Sequence, residues 1–196
     1  MRLVIIDSGG ANIASVRFAI ERLGVESELT TDPQRVREAT HVLLPGVGAA
    51  RDCMRRLEKA GLVDTLRTLK QPMLGICVGM QLLFESSEED DVECLGLVPG
   101  RVRRFPEREG LPVPHMGWNQ LNLLQSSPLL QGIHENDHVY FVHSYRAPLS
   151  GMTLASSDYG TAFAALVQRD NVYGAQFHPE RSARVGALLL RNFLRL

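Results

Sequence analysis

The chain has 196 residues, 44% of them hydrophobic, which suits one domain with a full core. Lys plus Arg (21) balances Asp plus Glu (22) at a net charge of −1, which argues against nucleic acid or an acidic membrane as the main partner. No apolar run reaches the roughly 18 residues of a membrane span.

The opening "MRLVIIDSGG" is too short in its apolar part to read as a secretory leader. Within it "LVIID" (3–7) is a β-branched, nearly continuous apolar run, as expected of a strand buried on both faces. After "SGGAN", "IASVRFAIERLG" (13–24) has helical spacing, with Gly24 as its stop. "VESELT" (25–30) alternates like a strand. "DPQRVREA" (32–39) reads as a short helix opened by Asp32, with Pro33 at its first position. "HVLLP" (41–45) is a third strand. "AARDCMRRLEKAGLVDTLRTLK" is expected to be one long amphipathic helix, and "PMLGI" (72–76) a fourth strand ending at Cys77.

This alternation predicts an α/β fold: an open, mostly parallel, doubly wound sheet with helices on both faces. Sites in such sheets form beyond the carboxyl ends of strands. Three loops qualify: "DSGGAN", "PGVGAA" and "GICVGM". From about residue 95 the texture changes to short, turn-punctuated segments. These are expected to be mostly antiparallel strands and hairpins added to the sheet in the C-terminal half. "RSARVGALLLRNFLRL" closes the chain as a helix. No linker or repeat interrupts residues 1–196, which are expected to form a single domain.

Cysteines 53, 77 and 94 have unrelated spacings and read as reduced thiols in a cytoplasmic protein rather than a disulfide framework. Only Cys77 has chemistry in its setting. "GICVG" between a strand and a helix has the pattern of a nucleophile elbow, whose glycines permit a sharp, strained turn. The turn lifts the sulfur above the sheet, beside a helix N-terminus. The competing reading is a small buried hydrophobe, which is kept for Cys53 and Cys94. A nucleophile needs a base, and the base needs orienting. In "GAQFHPE", an apolar strand runs into His178, Pro179 stiffens the chain, and Glu180 lies two residues on. In extended chain residues i and i+2 point the same way, so Glu180 can hold one ring nitrogen of His178. His143 has Tyr145 at i+2 and no carboxylate, which favours His178 as the base. His134 and His138 are four apart, but "HENDHVYFV" does not read as helix, so no metal site is expected.

These motifs resemble those of the class I glutamine amidotransferases of the Cys-His-Glu type: "GICVGMQLL" carries the nucleophile and "GAQFHPE" the base. Within that class, "PGVGAARDCM", "FESSEE", "PHMGWNQL", "YFVHSY" and "GAQFHPERS" resemble the glutaminase subunits that serve imidazole glycerol phosphate synthase. The resemblance implies glutamine hydrolysis without any cofactor. It also implies delivery of ammonia to a β/α-barrel cyclase subunit in a heterodimer, for histidine biosynthesis. No acceptor domain is expected within the chain.

The resemblance also assigns residues. Cys77, His178 and Glu180 are the triad. Val78 supplies one oxyanion N–H by elbow geometry, and the peptide around Val47 and Gly48 supplies a second once it turns inward. Gln81 contacts the α-amino or α-carboxylate end of glutamine, and Glu89 its ammonium; the competing reading of Glu89 is a solvated acidic loop. His143, Ser144 and Tyr145 lend backbone groups to the α-carboxylate. Three positions depart from the family pattern: Val78 where leucine is commoner, Ala50 where an aromatic is usual, and Arg181 where lysine is usual. Arg181 is a candidate for the partner interface. "RVRRFPER" (101–108) reads as a solvated hairpin. An amidotransferase serving another acceptor, a silent docking subunit and an elbow esterase or peptidase remain as alternatives.

Overall fold

A computed structural model of the chain describes residues 1–8 and 12–196. The first half alternates as expected. It runs β1 (Leu3–Ile6), α1 (Ile13–Glu21), β2 (Ser27–Thr30), α2 (Pro33–Glu38), β3 (His41–Gly46), α3 (Ala50–Lys59), α4 (Val63–Thr68), β4 (Met73–Cys77) and α5 (Val78–Gln81). The helix signals act as their chemistry dictates. Asp32 accepts a hydrogen bond from the Gln34 N–H at 2.8 Å and opens α2. Gly24 takes a left-handed φ of 78°, and the N–H groups of Gly24 and Val25 donate back to Glu21 and Ile20, closing α1.

The long helix expected after "PGVG" is two helices. Gly61, at φ 67°, makes the same C-terminal motif: its N–H donates to the Glu58 carbonyl and that of Leu62 to the Leu57 carbonyl. Periodicity continues through the break because both helices bury one face, so the apolar pattern hid the stop.

Beyond α5 come β5 (Ser86–Ser87), β6 (Val92–Glu93), β7 (Arg101–Arg104), β8 (His115–Gln120), β9 (Asn122–Leu123), β10 (His138–His143), β11 (Tyr145–Arg146), β12 (Thr153–Asp158), β13 (Ala162–Arg169), β14 (Val172–Ala175) and α6 (Ala183–Phe193). The main sheet has eight strands in the order β2-β1-β3-β4-β14-β13-β12-β9. Its first five are mutually parallel, and β13, β12 and β9 add to them antiparallel. The mixed open sheet is thus the α/β class expected. Strands β1, β3 and β4 are buried along their whole lengths, as strands covered on both faces must be.

Two details of the second half differ from expectation. β14 is parallel to β4, and β8 with β10, and β5, β6, β7 with β11, form separate small sheets. Strand patterns carry no information about which edge a strand finds, so partners were not readable. "RVRRFPER" is not a solvated hairpin either. Its first four residues are β7, paired with β5 and β11, and Phe105 is in the core. The topology sets the ends of β3, β4 and β14 side by side.

Candidate active site

The site starts at the end of β4. Cys77 has φ 55° and ψ −115°, a conformation that L-residues rarely adopt, and α5 begins at the next residue. Glycines make this possible. A Cβ on Gly79 would overlap the Leu44 carbonyl, and one on Gly75 would lie 2.6 Å from the Gly79 carbonyl oxygen. A third glycine belongs to the same turn: a Cβ on Gly46 would overlap the Gly79 nitrogen. The start of α5 therefore rests directly on the backbones of β3 and β4. Cys77 is 6% exposed, with its sulfur 3.9 Å from the Val142 carbonyl oxygen and 4.0 Å from Gln176 Nε2.

β14 is hydrogen-bonded beside β4 and carries the chain to His178. His178 is fixed at its backbone: its N–H donates to the Tyr140 carbonyl at 3.0 Å, and its own carbonyl accepts from Ser182 Oγ at 2.7 Å. Its Nδ1–H donates to Glu180 Oε1 at 2.8 Å. The pairing is the one expected, but its geometry is not. Residues 179–181 form a 3-10 turn rather than extended chain, and the turn brings Glu180 back beneath the ring. Nε2 of His178 has no hydrogen-bond partner among the described residues, so the face that would serve a reacting group is free.

Asn12 completes the cluster, and sequence reading missed it. Its Nδ2 donates to Glu180 Oε1 at 2.6 Å and lies 3.1 Å from His178 Nδ1. The sequence marks "DSGGAN" as a site loop only by its position after β1 and singles out no residue in it. Residues 9–11 of that loop lie outside the described residues.

The electrostatics follow from this packing. Burial alone would raise the Glu180 pKa, but the hydrogen bond and charge of His178, with help from Asn12, bring it below the usual value. Burial works against a charged His178, yet the neighbouring Cys77 sulfur and Glu180 outweigh it and raise its pKa. His143 is the opposite case: burial pushes it down to about 3, and no carboxylate counters. It is held neutral and does not rival His178.

These groups open on a cleft of about 460 Å³ whose lining includes Val47, Gly48, Cys77, Val78, Gln81, Glu89, His143, Ser144, Tyr145, His178 and Arg181. The residues singled out from sequence thus come together, with Glu180 behind His178. Gln81 is one turn past Cys77 and spends both amide hydrogens, donating to the Tyr145 carbonyl and to Gln176 Oε1, each at 2.9 Å. Neither amide hydrogen is left for the cleft. Glu89 is not a freely solvated loop residue. It is half-buried, accepts from the Ala50 N–H at 2.7 Å at the start of α3, and has its pKa raised chiefly by burial. Gly48 has φ 87°, and the Val47 carbonyl accepts from the Cys53 thiol at 3.4 Å. The Arg181 guanidinium lies 4.8 Å over the Tyr140 ring at the cleft mouth. Among the described residues no group of His, Cys, Asp and Glu could hold a metal ion.

Comparison with known proteins gives the same picture. The sequence model of the family described as glutamine amidotransferase class-I matches residues 4–196. The chain is 55% identical over 194 residues to the imidazole glycerol phosphate synthase subunit HisH of Xanthomonas axonopodis pv. citri, covering 99% of this chain and 97% of that protein. It is 54% identical over the same length to the HisH subunit of Xylella fastidiosa (strain Temecula1), with the same coverage. Among solved structures, a glutamine amidotransferase from Thermotoga maritima superposes with a TM-score of 0.69 at 16% identity, covering 100% of this chain and 96% of that one. The glutaminase domain of Trypanosoma brucei CTPS, solved with acivicin bound, gives 0.68 at 15% identity, covering 100% and 94%.

Proposed function

The chain belongs to the class-I glutamine amidotransferase family, and on that premise we propose that Cys77, His178 and Glu180 hydrolyse the side-chain amide of glutamine to glutamate and ammonia. It acts as the glutaminase subunit of imidazole glycerol phosphate synthase in histidine biosynthesis. One observation carries the residue assignment: the elbow cysteine and an imidazole with a free Nε2 and a carboxylate on Nδ1 share a single cleft.

In this reading Cys77 attacks the amide carbon and a thioester forms. His178 protonates the departing ammonia and then activates the water that frees glutamate, a contribution of about 10²–10⁴-fold. Glu180 holds the ring in one tautomer and stabilises its charge. The N–H of Val78 and one from the Val47–Gly48 segment bind the oxyanion. Losing one such donor costs about 10²–10³ in rate. The Gln81 acceptor and the Glu89 carboxylate suit the substrate ammonium, and the backbone of His143, Ser144 and Tyr145 suits its α-carboxylate.

The partner in this reading is the β/α-barrel cyclase, which takes the ammonia without release to solvent. Support comes from the outer face of the β8–β10 pair. Met116 and Trp118 there are 66% and 53% exposed, large apolar side chains that a lone surface seldom shows side by side. Tyr140 packs against Trp118, and Arg181 reaches from Tyr140 to the cleft mouth. An apolar patch with aromatic and arginine anchors beside the exit of a cleft suits docking there. Residues 1–196 work as one amidotransferase domain in the cytoplasm. Three free, buried cysteines support that location.

The test is a glutaminase assay with and without the barrel subunit and its ligand. The chain alone is expected to turn over glutamine slowly and the liganded complex rapidly. Cys77→Ala is expected to abolish turnover in both while still binding the barrel. Residual turnover above a few per cent of the unmodified rate removes Cys77 as nucleophile, and full speed from the isolated chain removes the gated oxyanion segment.

A further inference from the structure

Two buried histidines take no part in the hydrolysis through their side chains. His115 opens β8 and His143 ends β10, and they face each other across the strand pair. Nδ1 of His115 is 3.0 Å from Nε2 of His143. Nδ1 of His143 is 2.8 Å from the Tyr145 carbonyl oxygen. At the other end, Asn119 Nδ2 lies 3.3 Å from His115 Nε2 and gives its other hydrogen to the Asp158 carbonyl at 2.8 Å.

One arrangement of hydrogens satisfies every contact. A carbonyl only accepts, so His143 carries its hydrogen on Nδ1 and accepts at Nε2. His115 must then donate from Nδ1, which leaves its Nε2 to accept from Asn119. The chain of donors ends on the Tyr145 carbonyl, the same oxygen that takes a hydrogen bond from Gln81. Tyr145, Gln81 and His143 all line the cleft. Aromatic rings fix the two imidazoles in place: Tyr159 stacks on His115 at 4.1 Å and Phe141 at 5.0 Å, and Phe105 meets His143 edge-on at 5.1 Å. A pair of polar rings inside an aromatic cluster is costly to bury unless its hydrogen bonds are complete. Here they are complete, and they end on the substrate cleft.

We propose that His115 and His143 are positioning residues: a two-imidazole relay, each ring in the Nδ1–H tautomer, that fixes the Tyr145 backbone and the Gln81 amide against the α-end of glutamine. The proposal rests on the reading of the cleft as a glutamine site. The relay holds groups that grip glutamine in ground state and transition state alike, so its loss raises KM and leaves kcat nearly as it was.

Two experiments judge it. ¹⁵N side-chain NMR of the full chain at pH 7 is expected to report Nδ1–H tautomers for both rings; an Nε2–H tautomer or an imidazolium at either position overturns the relay. In the complex with the barrel subunit and its ligand, His143→Phe is expected to raise the glutamine KM about tenfold, the worth of one buried hydrogen bond, with kcat within about threefold. His143→Asn, whose Nδ2 replaces the Nδ1 donor, is expected to recover most of that loss. Equal defects in the two variants, or a defect in kcat alone, overturn the positioning role. Should His143→Phe not fold, His115→Phe carries the comparison, because it keeps an aromatic ring against Tyr159 and removes the donor to His143 together with the acceptor for Asn119. A complete absence of glutamine turnover in the unmodified complex would sink the reading of the cleft instead, and the tautomer spectra distinguish that result from a failed relay.

Discussion

Asn12 shows what a single amide can do at this site. Glu180 Oε1 accepts from both His178 Nδ1 and Asn12 Nδ2, at 2.8 and 2.6 Å. Asn12→Ala should free the carboxylate to rotate and lower kcat by about tenfold, in line with a hydrogen bond to a charged group. Asn12→Asp should be worse at neutral pH, because a second carboxylate would sit against Glu180. Like charges raise a carboxyl pKa, and a protonated Asp regains a donor. The variant's activity should therefore climb relative to the unmodified enzyme as pH falls from 7 to 5. A pH–rate profile of the two proteins checks this, and parallel profiles would remove Asn12 from the triad's support. The triad was legible because its residues sit in short motifs with strong local meaning. Asn12 was not, since an asparagine after a strand and glycines is ordinary turn material. Only the fold brings it to within hydrogen-bond reach of residues 166 and 168 positions away.

At the level of elements, the elbow is a contact between backbones. Gly79 faces the Leu44 carbonyl with no room for a methyl group, so Gly79→Ala must push α5 off β3. Overpacking of this kind costs about 1–3 kcal/mol, and the shift would also move Cys77 and the Val78 N–H. Urea unfolding should give a lower midpoint for Gly79→Ala, and glutaminase activity should fall with it. An unchanged midpoint with full activity would mean that the close approach is not structural. Sequence reading found Gly75 and Gly79 because they flank the cysteine. It read Gly46 as part of a separate loop, since nothing local says that β3 and α5 touch. The same limit explains the helix expected over 49–70. The apolar spacing of α3 and α4 is continuous, and Gly61 was outvoted by it.

Over the whole molecule, the two neutral histidines set an acid limit on stability. Burial lowers His115 to about 4 and His143 to about 3, and no carboxylate contributes to either shift. In the unfolded chain both titrate near about 6.5. Between those values the unfolded state binds more protons at these two sites than the native state, so their contribution to stability is full above about pH 6.5 and falls as pH drops towards 4. Each histidine contributes a slope of about 1.4 kcal/mol per pH unit in that window. Urea unfolding from pH 7 to 4.5 should show this loss, and His115→Phe should remove about one proton's worth of it. A slope unchanged by that substitution would mean that His115 is charged in the native state.

The alternation of strands and helices in the first half apart from the break at Gly61, the elbow, and the pairing of His178 with Glu180 were determined by the sequence alone, because each depends on neighbours within a few positions: burial periodicity, glycine's freedom of φ, a carboxylate two residues from the imidazole. The tertiary structure alone decided which strand lies beside which, that Glu89 is tied to the start of α3, that both amide hydrogens of Gln81 are spent, that Asn12 joins Glu180, and that His115 and His143 link to the Tyr145 carbonyl. Those contacts join residues far apart in the chain. Their energies come from closed packing and completed hydrogen bonds, which exist only once the sheet has brought its carboxyl ends together.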